Sequence, residues 1–463
     1  MGTRWREGGA AILDPLEGTM TDVPKSETIS TKQQRIANLA RRMPNRPLHS
    51  LSHHIDIHWM RRAYQLTRKD GAVGVDGQTA ADFAENLEDN LQQLLSQAKS
   101  GLYRAPPVRR VDIPKGDGKS TRPIGITTFA DKVLQRAVMM VLEPLYEQDF
   151  YPFSYGFRPG RSAHQALRDV QHQLWKMGGG VILEVDISSF FDTIDRGRLQ
   201  HILRQRVSDG VIVRLIGKWL RAGVLTDGRL SHSPTGVPQG GVISPLLSNL
   251  YLHEVMDEWW AKVVLPRLKG EAYLFRYADD LLLLFSEEVD AHRVESVLSK
   301  RFTKYGLSLH PTKTRQVSFF RPRAKKNQRP RPGTFTFLGF THYWARSRQG
   351  RWIPKQKTAA SRFRRTLRRI KEWCRSHRHL PIPEQSRHLG RKLRGHYSYF
   401  GITGNSICLS RMFYRVKWLW HKWLNRRSQR ARLSLARFTR LLENHPLPAP
   451  VAVHSALRHS AKP

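Results

Sequence analysis

The chain is poor in cysteine and in long apolar runs. Its 463 residues include only two cysteines, Cys374 and Cys408, which are too few for a disulfide framework or a four-cysteine zinc site and favour a reducing compartment. No stretch approaches the roughly 18 to 20 apolar residues of a membrane span, and the N-terminus lacks the basic and apolar segments of a secretion signal. We therefore expect a cytoplasmic protein with no membrane partner.

Acidic residues are also scarce. The chain carries 38 Asp and Glu residues against 78 Lys and Arg, a formal net charge of +40. Like charges at this density oppose compaction unless an anionic partner screens them, and such a bias is typical of proteins that neutralise many phosphates. Since 40% of the residues are hydrophobic, the chain can bury the cores of two or three domains. A nucleic-acid partner is expected.

Local patterns predict the elements along the chain. Residues 1–45 are polar and predict a flexible arm, with Met20 as an alternative start, and residues 46–100 have helical spacing. Extended structure around a glycine-containing turn predicts a hairpin within 103–126. The predicted elements that follow are a helix over 131–146, a β-rich stretch ending at Asp186, a helix over about 243–260, and two strands at 272–277 and 281–285.

The composition changes beyond about Trp352. Residues 351–440 contain 25 Lys and Arg against two Glu, interleaved with Trp373, Trp418, Trp420 and Trp423. Helical spacing recurs at 363–370 and 413–424. We expect a separate helical domain with acid-poor faces that run along a phosphate backbone.

Three carboxylates are predicted at strand ends. Asp186 closes the largely apolar run Val181-Ile-Leu-Glu-Val185, and Asp279 and Asp280 lie between two apolar strands. An isolated Asp-Asp pair is most often a solvated turn, but adjacent like charges between buried strands require a counter-ion. Mg²⁺ prefers oxygen ligands, and two such ions about 4 Å apart serve in-line displacement at phosphorus. The pattern favours a magnesium site.

The segment Tyr277-Ala-Asp-Asp280 is similar to the signature of reverse transcriptases, and the blocks around it resemble group II intron-encoded reverse transcriptase/maturases. The resemblance extends over roughly residues 30 to 455. Its further motifs are Tyr155-Gly-Phe-Arg-Pro-Gly-Arg161, Asp186-Ile-Ser-Ser-Phe-Phe-Asp-Thr-Ile194, Gly236-Val-Pro-Gln-Gly-Gly-Val-Ile-Ser-Pro245, Gly306-Leu-Ser-Leu-His-Pro-Thr-Lys-Thr314 and Leu338-Gly-Phe340.

The resemblance implies an α+β right-hand polymerase. Residues 46–100 would form a helical N-terminal extension of the fingers, and 101–341 the fingers and a palm with an antiparallel sheet. Residues 352–430 would form an α-helical thumb/maturase (X) domain. Residues 431–463 would be a basic tail that could bind DNA. The paired Cys-x-x-Cys motifs of the endonuclease domain that many family members carry are not found in this sequence, so we expect a protein of the endonuclease-less bacterial type.

The resemblance also implies the roles of site residues. Asp186, Asp279 and Asp280 would be the catalytic, metal-binding triad for two Mg²⁺ ions, with Mn²⁺ as a substitute and the backbone carbonyl of Ile187 as a further ligand. Phe191 would be a steric gate against the 2′-hydroxyl of an incoming nucleotide, whereas Phe190 is expected in the core.

Further residues are expected to bind the nucleotide. Lys115 and Arg122 flank the predicted hairpin turn, where both cations could hold a triphosphate. Gln239 and Gly240 could approach the nucleotide closely because glycine permits a tight backbone, and Lys313 is a candidate triphosphate contact. Arg158 and Arg161 could brace either the template or the fold.

The expected function is RNA-directed DNA polymerisation. By the resemblance, the protein also binds its group II intron RNA, assists splicing as a maturase, and supports intron mobility by target-primed reverse transcription. Its partners would be intron RNA, RNA template with DNA primer, target DNA and dNTPs, in a nucleoid-associated bacterial ribonucleoprotein. Two alternatives stay open: a domesticated reverse transcriptase of DNA repair or phage defence, and a non-catalytic RNA-binding splicing factor. Monomer and homodimer are both possible.

Overall fold

The computed structural model describes residues 28–114, 121–226, 228–231, 235–237, 239–322, 333–428 and 432–454. They form a mixed α/β structure. The α-helices are α1 Ile29–Arg42, α2 Ile57–Leu66, α3 Ala80–Glu85, α4 Leu87–Ser100, α5 Phe129–Tyr146, α6 Ala163–Met177, α7 Phe190–Thr193, α8 Arg196–Arg206, α9 Gly210–Arg221, α10 Ser244–Leu252, α11 Glu288–Lys304, α12 Ala360–Ser376, α13 Ile382–Phe400, α14 Ser406–Leu424 and α15 Leu435–Asn444.

The strands form three sheets, two of them wholly antiparallel. They are β1 Val108–Pro114, β2 Thr121–Ile126, β3 Val181–Val185, β4 Val224–Thr226, β5 Arg229–Ser231, β6 Ala272–Tyr277, β7 Asp280–Phe285, β8 Arg315–Ser318, β9 Phe335–Phe337, β10 Phe340–Arg346 and β11 Trp352–Thr358. The sheet orders are β2-β1-β4-β5, β6-β7-β3-β8 and β11-β10-β9.

The sheet β6-β7-β3-β8, here called the carboxylate sheet, is antiparallel throughout. Its central strands β3 and β7 are almost continuously apolar and buried, as expected for strands covered on both faces. Val185, the last residue of β3, pairs with Leu281, so extending the register by one residue would place Asp186 opposite Asp280. The predicted strands before Asp186 and around the Ala-Asp-Asp turn are confirmed.

The predicted hairpin before residue 126 is also confirmed. Strands β1 and β2 pair antiparallel from Arg109 opposite Ile126 to Pro114 opposite Thr121. The other edge of β1 pairs parallel with β4, so this hairpin is fixed to the segment that precedes the 236–245 motif. The predicted helix over 131–146 is α5, which begins at Phe129 after the Thr128 side chain caps the backbone N–H of Asp131.

The region beyond residue 359 packs around a core of its own. Helices α12 to α15, here called the C-terminal helical region, enclose a cluster centred on the fully buried Trp420. The Trp420 indole N–H donates to Gln385 Oε1 at 2.9 Å, which satisfies its one polar atom. Trp423 is also buried, whereas Trp418 is 57% exposed. The helices predicted at 363–370 and 413–424 are confirmed.

Two segments differ from the sequence prediction, and a third gains a helix for which no secondary structure was predicted. Residues 29–42, assigned to a flexible arm, form α1, and its Ile36 joins the main core. Residues 163–177, assigned to a β-rich stretch, form α6. Part of the predicted tail forms α15, and its Phe438 packs edge-on against Trp420 at 5.8 Å. In each case a narrow apolar face buried against other elements decides the structure.

The helix predicted over 243–260 is α10, continued by π-helical turns at His253–Glu258 and Trp260–Val264. Within the described ranges, every helix is too short or too polar to cross a membrane.

Candidate active site

The three predicted catalytic carboxylates converge at one end of the carboxylate sheet. Tyr277 pairs with Asp280 across a two-residue turn made of Ala278 and Asp279. Ala278 has a φ of 56°, a left-handed conformation that costs a non-glycine residue on the order of 1 kcal/mol and persists only when its surroundings enforce it. Since directly opposed residues have Cβ atoms roughly 5 Å apart, the register brings Asp186 beside Asp280.

The pKa values of Asp279 and Asp280 reflect this crowding. Desolvation by the surrounding protein, followed by the charges of Asp279 and Asp186, raises the pKa of Asp280 to about 6, although the residue keeps contact with solvent. Desolvation also raises the pKa of Asp279. The charge of Asp186 adds to this increase, and the charge of Arg122 opposes it. The crowding therefore opposes ionisation of Asp279 and Asp280, an effect that a nearby cation would relieve. Among the described residues, no three His, Cys, Asp or Glu side chains are already arranged as a metal-binding group.

Lys313 lies at this cluster. Its Nζ is 2.8 Å from Asp186 Oδ2, which makes the amine a counter-ion of the predicted metal ligand. The backbone around Asp186 is fixed as well, since the amide of His310 donates to Asp186 O and the amide of Ser188 donates to Ser308 O, both at 2.8 Å. These two bonds do not use the Ile187 carbonyl, the predicted further ligand.

Phe190 and Phe191 differ in burial. Phe190 is 3% exposed and belongs to the main core. Phe191 is half-buried, with its ring edge-on to Phe190 at 5.3 Å. Its carbonyl accepts from the amide of Val237 at 2.8 Å. Phe191 is therefore held between the Asp186 segment and the 236–245 motif.

Gln239 and Gly240 pack on the β2 strand that carries Arg122. The Gln239 carbonyl accepts from the amide of Gly125 at 2.6 Å. Gly240 has a φ of +113°, and a Cβ there would lie 2.5 Å from the Gly125 oxygen, so both conformation and space require glycine. Lys115, the other predicted triphosphate ligand, lies outside the described residues.

A buried ion pair behind the turn was missed in the sequence. Arg276 and Asp257 are both 0% exposed, and the guanidinium donates to the two carboxylate oxygens at 2.8 and 2.5 Å. Its Nη1 also donates to Asn249 Oδ1 at 2.9 Å and to the carbonyl of Ala278 at 3.3 Å. The available signal was the single charge inside an apolar strand, because a fully buried arginine requires a partner.

The motif at 155–161 supports the same turn. A Cβ on Gly156 would lie 2.2 Å from the amide nitrogen of Ala278, so only glycine permits this approach. Arg158 is buried, bonds both carboxylate oxygens of Glu147 and donates to the carbonyl of Ser154. It braces the fold, whereas Arg161 is exposed, with its guanidinium 5.9 Å from the Tyr155 ring centroid.

Two residues of the C-terminal helical region reach this end of the sheet. The Tyr399 hydroxyl donates to the carbonyl of Leu338 at 2.8 Å, in the β9–β10 turn. Arg362 lies beside Gly339 of the same turn and lowers the pKa of Asp280 against the larger opposing effects. No local pattern identifies these contacts, since they join residues far apart in the chain.

Strand-end carboxylates on an antiparallel sheet, flanked by cations and glycine-bearing loops, are an arrangement typical of nucleotidyltransferases. Residues 113–342 match the family described as reverse transcriptase (RNA-dependent DNA polymerase). The chain belongs to the reverse transcriptase family, and its relatives include group II intron-encoded proteins and intron maturases.

The similarity to one relative spans most of both chains. Protein YkfC of Escherichia coli (strain K12) is 34% identical over 371 residues, which cover 71% of this chain and 93% of that protein. The group II intron-encoded protein LtrA of Lactococcus lactis subsp. cremoris is 39% identical over 203 residues, 43% of this chain and 33% of LtrA. Nuclear intron maturase 1, mitochondrial, of Arabidopsis thaliana is 29% identical over 137 residues, covering 27% of this chain and 18% of that protein.

Proposed function

We propose that the protein is an active RNA-directed DNA polymerase with a right-hand architecture, which also binds a group II intron RNA as a maturase. The observation that carries the polymerase proposal is the convergence of Asp186, Asp279 and Asp280 on adjacent strands, with a pKa of Asp280 raised to about 6. The carboxylate sheet would be the palm, the β1–β2 hairpin part of the fingers, and the C-terminal helical region the thumb.

The three carboxylates and the carbonyl of Ile187 would hold two Mg²⁺ ions. When bound, these ions would lower the pKa of a primer 3′-hydroxyl and stabilise the leaving pyrophosphate. The protein contributes rigidity: Asp186 follows a buried strand, and the buried Arg276 fixes the carbonyl of the Ala278 turn. A rigid carboxylate set limits the reorganisation needed during the reaction.

Side chains around the carboxylates would position the nucleotide. The triphosphate would contact Arg122, Lys115 and Lys313, of which Lys313 is paired with Asp186 in the structure described here. Gln239 and Gly240 would border the base and sugar. The ring of Phe191 would exclude a 2′-hydroxyl and so favour dNTPs.

A primer-extension assay tests the polymerase. The purified full chain is supplied with an RNA template, a DNA primer, dNTPs and Mg²⁺, beside Asp279→Asn, which keeps the side-chain shape and removes the charge. We expect Mg²⁺-dependent cDNA from the parent and its loss in the variant. A parent protein that folds, binds the template and makes no cDNA would contradict the proposal and favour a non-catalytic splicing factor.

The maturase proposal rests on the surface of the C-terminal helical region. Arg411, Tyr414, Arg415, Trp418 and Lys422 lie on one side of α14 at helical spacing, and all five are exposed. RNA is held through its phosphates and by stacking on aromatic rings, so such a face suits a structured RNA. Relatives named as intron maturases support the intron as that RNA.

Crosslinking in cells that express the protein, followed by sequencing of the bound RNA, tests this second part. Enrichment of an intron with a catalytic hairpin next to the gene is the expected result. RNA recovery without an intron among the enriched species would favour the domesticated alternative. Binding of that RNA should weaken steeply with salt because counterions are released on association.

A further inference from the structure

A groove of about 910 Å³ lies at the C-terminal end of α12, on the C-terminal helical region. We call it the distal groove, and Glu372, Trp373, Arg375, Arg378, His379 and Arg427 are among its lining residues. Arg362, which acts on Asp280, is near the opposite end of this 17-residue helix. At 1.5 Å per residue the helix is about 25 Å long, so the groove is separate from the carboxylates.

Four rings at the groove form a nearly parallel array. Trp373 stacks with His377 at 5.0 Å and 12°, and with His388 of α13 at 5.4 Å and 26°. His379 extends the array from His377 at 6.4 Å and 18°. His379 is exposed and, like Trp373, lines the groove. A flat ring that enters the groove therefore meets aromatic side chains already aligned for stacking.

The groove is also cationic. Arg375 and Arg378 are exposed beside the rings, and Arg427 fixes the backbone that carries them by donating to the carbonyl of Arg378 at 2.7 Å. Lys392 Nζ lies 5.6 Å from the Trp373 ring centroid. Glu372 is the acid among the lining residues, so the balance of charge attracts anions.

We propose that the distal groove binds one unpaired nucleotide of a single-stranded segment, with its base on the ring array and its phosphate on Arg375 and Arg378. A free phosphate would leave the rings unused, and an acidic peptide would use them poorly, whereas a nucleotide supplies a flat ring and an anion together. The inference rests on the proposed function in RNA binding and deepens it by adding a second point of contact, one helix length from the carboxylates.

Binding of a labelled RNA oligouridylate to the full chain, measured by fluorescence polarisation, tests the site. Since Trp373 is half-buried, the test variant changes exposed residues instead: His379→Ala with Arg378→Ala. We expect its affinity to fall about tenfold or more, the loss typical of one stacked base. The matched control is His292→Ala with Arg293→Ala, an exposed His and Arg pair on α11, which should change affinity little.

A second arm identifies the contact directly. The same oligonucleotide with 5-iodouridine, crosslinked by light, should attach to the peptide containing residues 373–379. An oligothymidylate DNA measured in parallel distinguishes RNA from single-stranded DNA as the ligand. If the test variant loses affinity for RNA alone, the groove binds RNA, and if it loses affinity for both equally, the groove binds any single strand. Either result supports the site. Unchanged affinity of the test variant, or crosslinks that map elsewhere, would overturn the site.

Primer extension at saturating template separates this inference from the polymerase proposal. The distal-groove variant should keep the parent's rate of cDNA synthesis, and Asp279→Asn should bind the oligonucleotide like the parent. If the parent makes no cDNA but the distal-groove variant still loses affinity, the polymerase proposal fails and the nucleotide site stands.

Discussion

The buried pair of Arg276 and Asp257 yields the sharpest prediction. Both side chains are 0% exposed, and two hydrogen bonds of 2.8 and 2.5 Å join them. Asp257→Ala would leave the guanidinium buried with only neutral acceptors, and breaking such a pair costs about 3–5 kcal/mol. Burial works to raise the pKa of Asp257, but its partners, Arg276 foremost, lower it overall. The stabilisation is therefore present at neutral pH and is lost as the pH falls below the ordinary value of 3.8.

The matched control is an exposed pair with the same geometry. Arg61 donates to both carboxylate oxygens of Glu88 at 2.7 Å, with side-chain exposures of 40% and 55%. Glu88→Ala should cost much less than Asp257→Ala because water replaces the lost partner. Urea unfolding followed by tryptophan fluorescence measures both variants. Equal losses of unfolding free energy in the two variants would refute the importance of the buried pair.

A double variant separates stability from positioning. Arg276→Met with Asp257→Leu replaces the ions by apolar groups of similar volume, which often restores stability. It also removes the hydrogen bond to the carbonyl of Ala278, so cDNA synthesis should stay about ten- to a hundredfold slower, the effect of a small misplacement of reacting groups. Full recovery of the rate together with stability would show that Arg276 does not position the turn.

Three further predictions concern the site. Because the folded-state pKa of Asp280 is raised to about 6, the metal-free protein loses stability as the pH rises through that value. Asp280→Asn should therefore raise the melting temperature at pH 7.5 without Mg²⁺, with a smaller gain at pH 5. An equal gain at both pH values would contradict this cause. Phe191→Val should raise the incorporation of rNTPs relative to dNTPs by about tenfold or more. The control Phe190→Leu should lower stability without changing this ratio. Unchanged sugar selectivity in Phe191→Val would contradict the assignment of Phe191 as the steric gate. Gly156→Ala should slow cDNA synthesis, because its Cβ would lie 2.2 Å from the turn backbone. The control Gly395→Ala, whose Cβ would have no heavy atom within 4 Å, should stabilise α13 by roughly 0.5–1 kcal/mol. Thermal melts and initial rates of cDNA synthesis compare the two variants.

Strong local patterns predicted the parts of the site that lie on single elements. The strands around Asp186 and the Ala278 turn are largely apolar, so their ends could be located from sequence. Helix α6 was missed although its buried Ala166, Val170 and Leu174 recur at helical spacing. Helix α1 was missed because basic and polar residues outnumber its few buried ones.

Contacts between distant segments could not be predicted in this way. Gln239 meets Gly125 across more than a hundred residues of chain, and Tyr399 meets Leu338 across 61. Tertiary packing decides such pairs, and a single sequence gives no local signal of them. Arg276 carried a local signal that was missed: a charge within a buried strand predicts a partner, although it does not identify Asp257.

The π-helical turns after α10 determine where this chain can tolerate a change of length. Asp257 lies within the π-helical turn His253–Glu258. The wider turn of a π-helix sets the direction in which its carboxylate faces Arg276. An α-helix advances about 100° per residue, so deleting one residue between Leu252 and Asp257 and closing the helix would turn the carboxylate away from its partner. We expect natural and engineered insertions or deletions to avoid this stretch and to accumulate in exposed turns such as Ser347–Gly350, where no buried charge depends on the register.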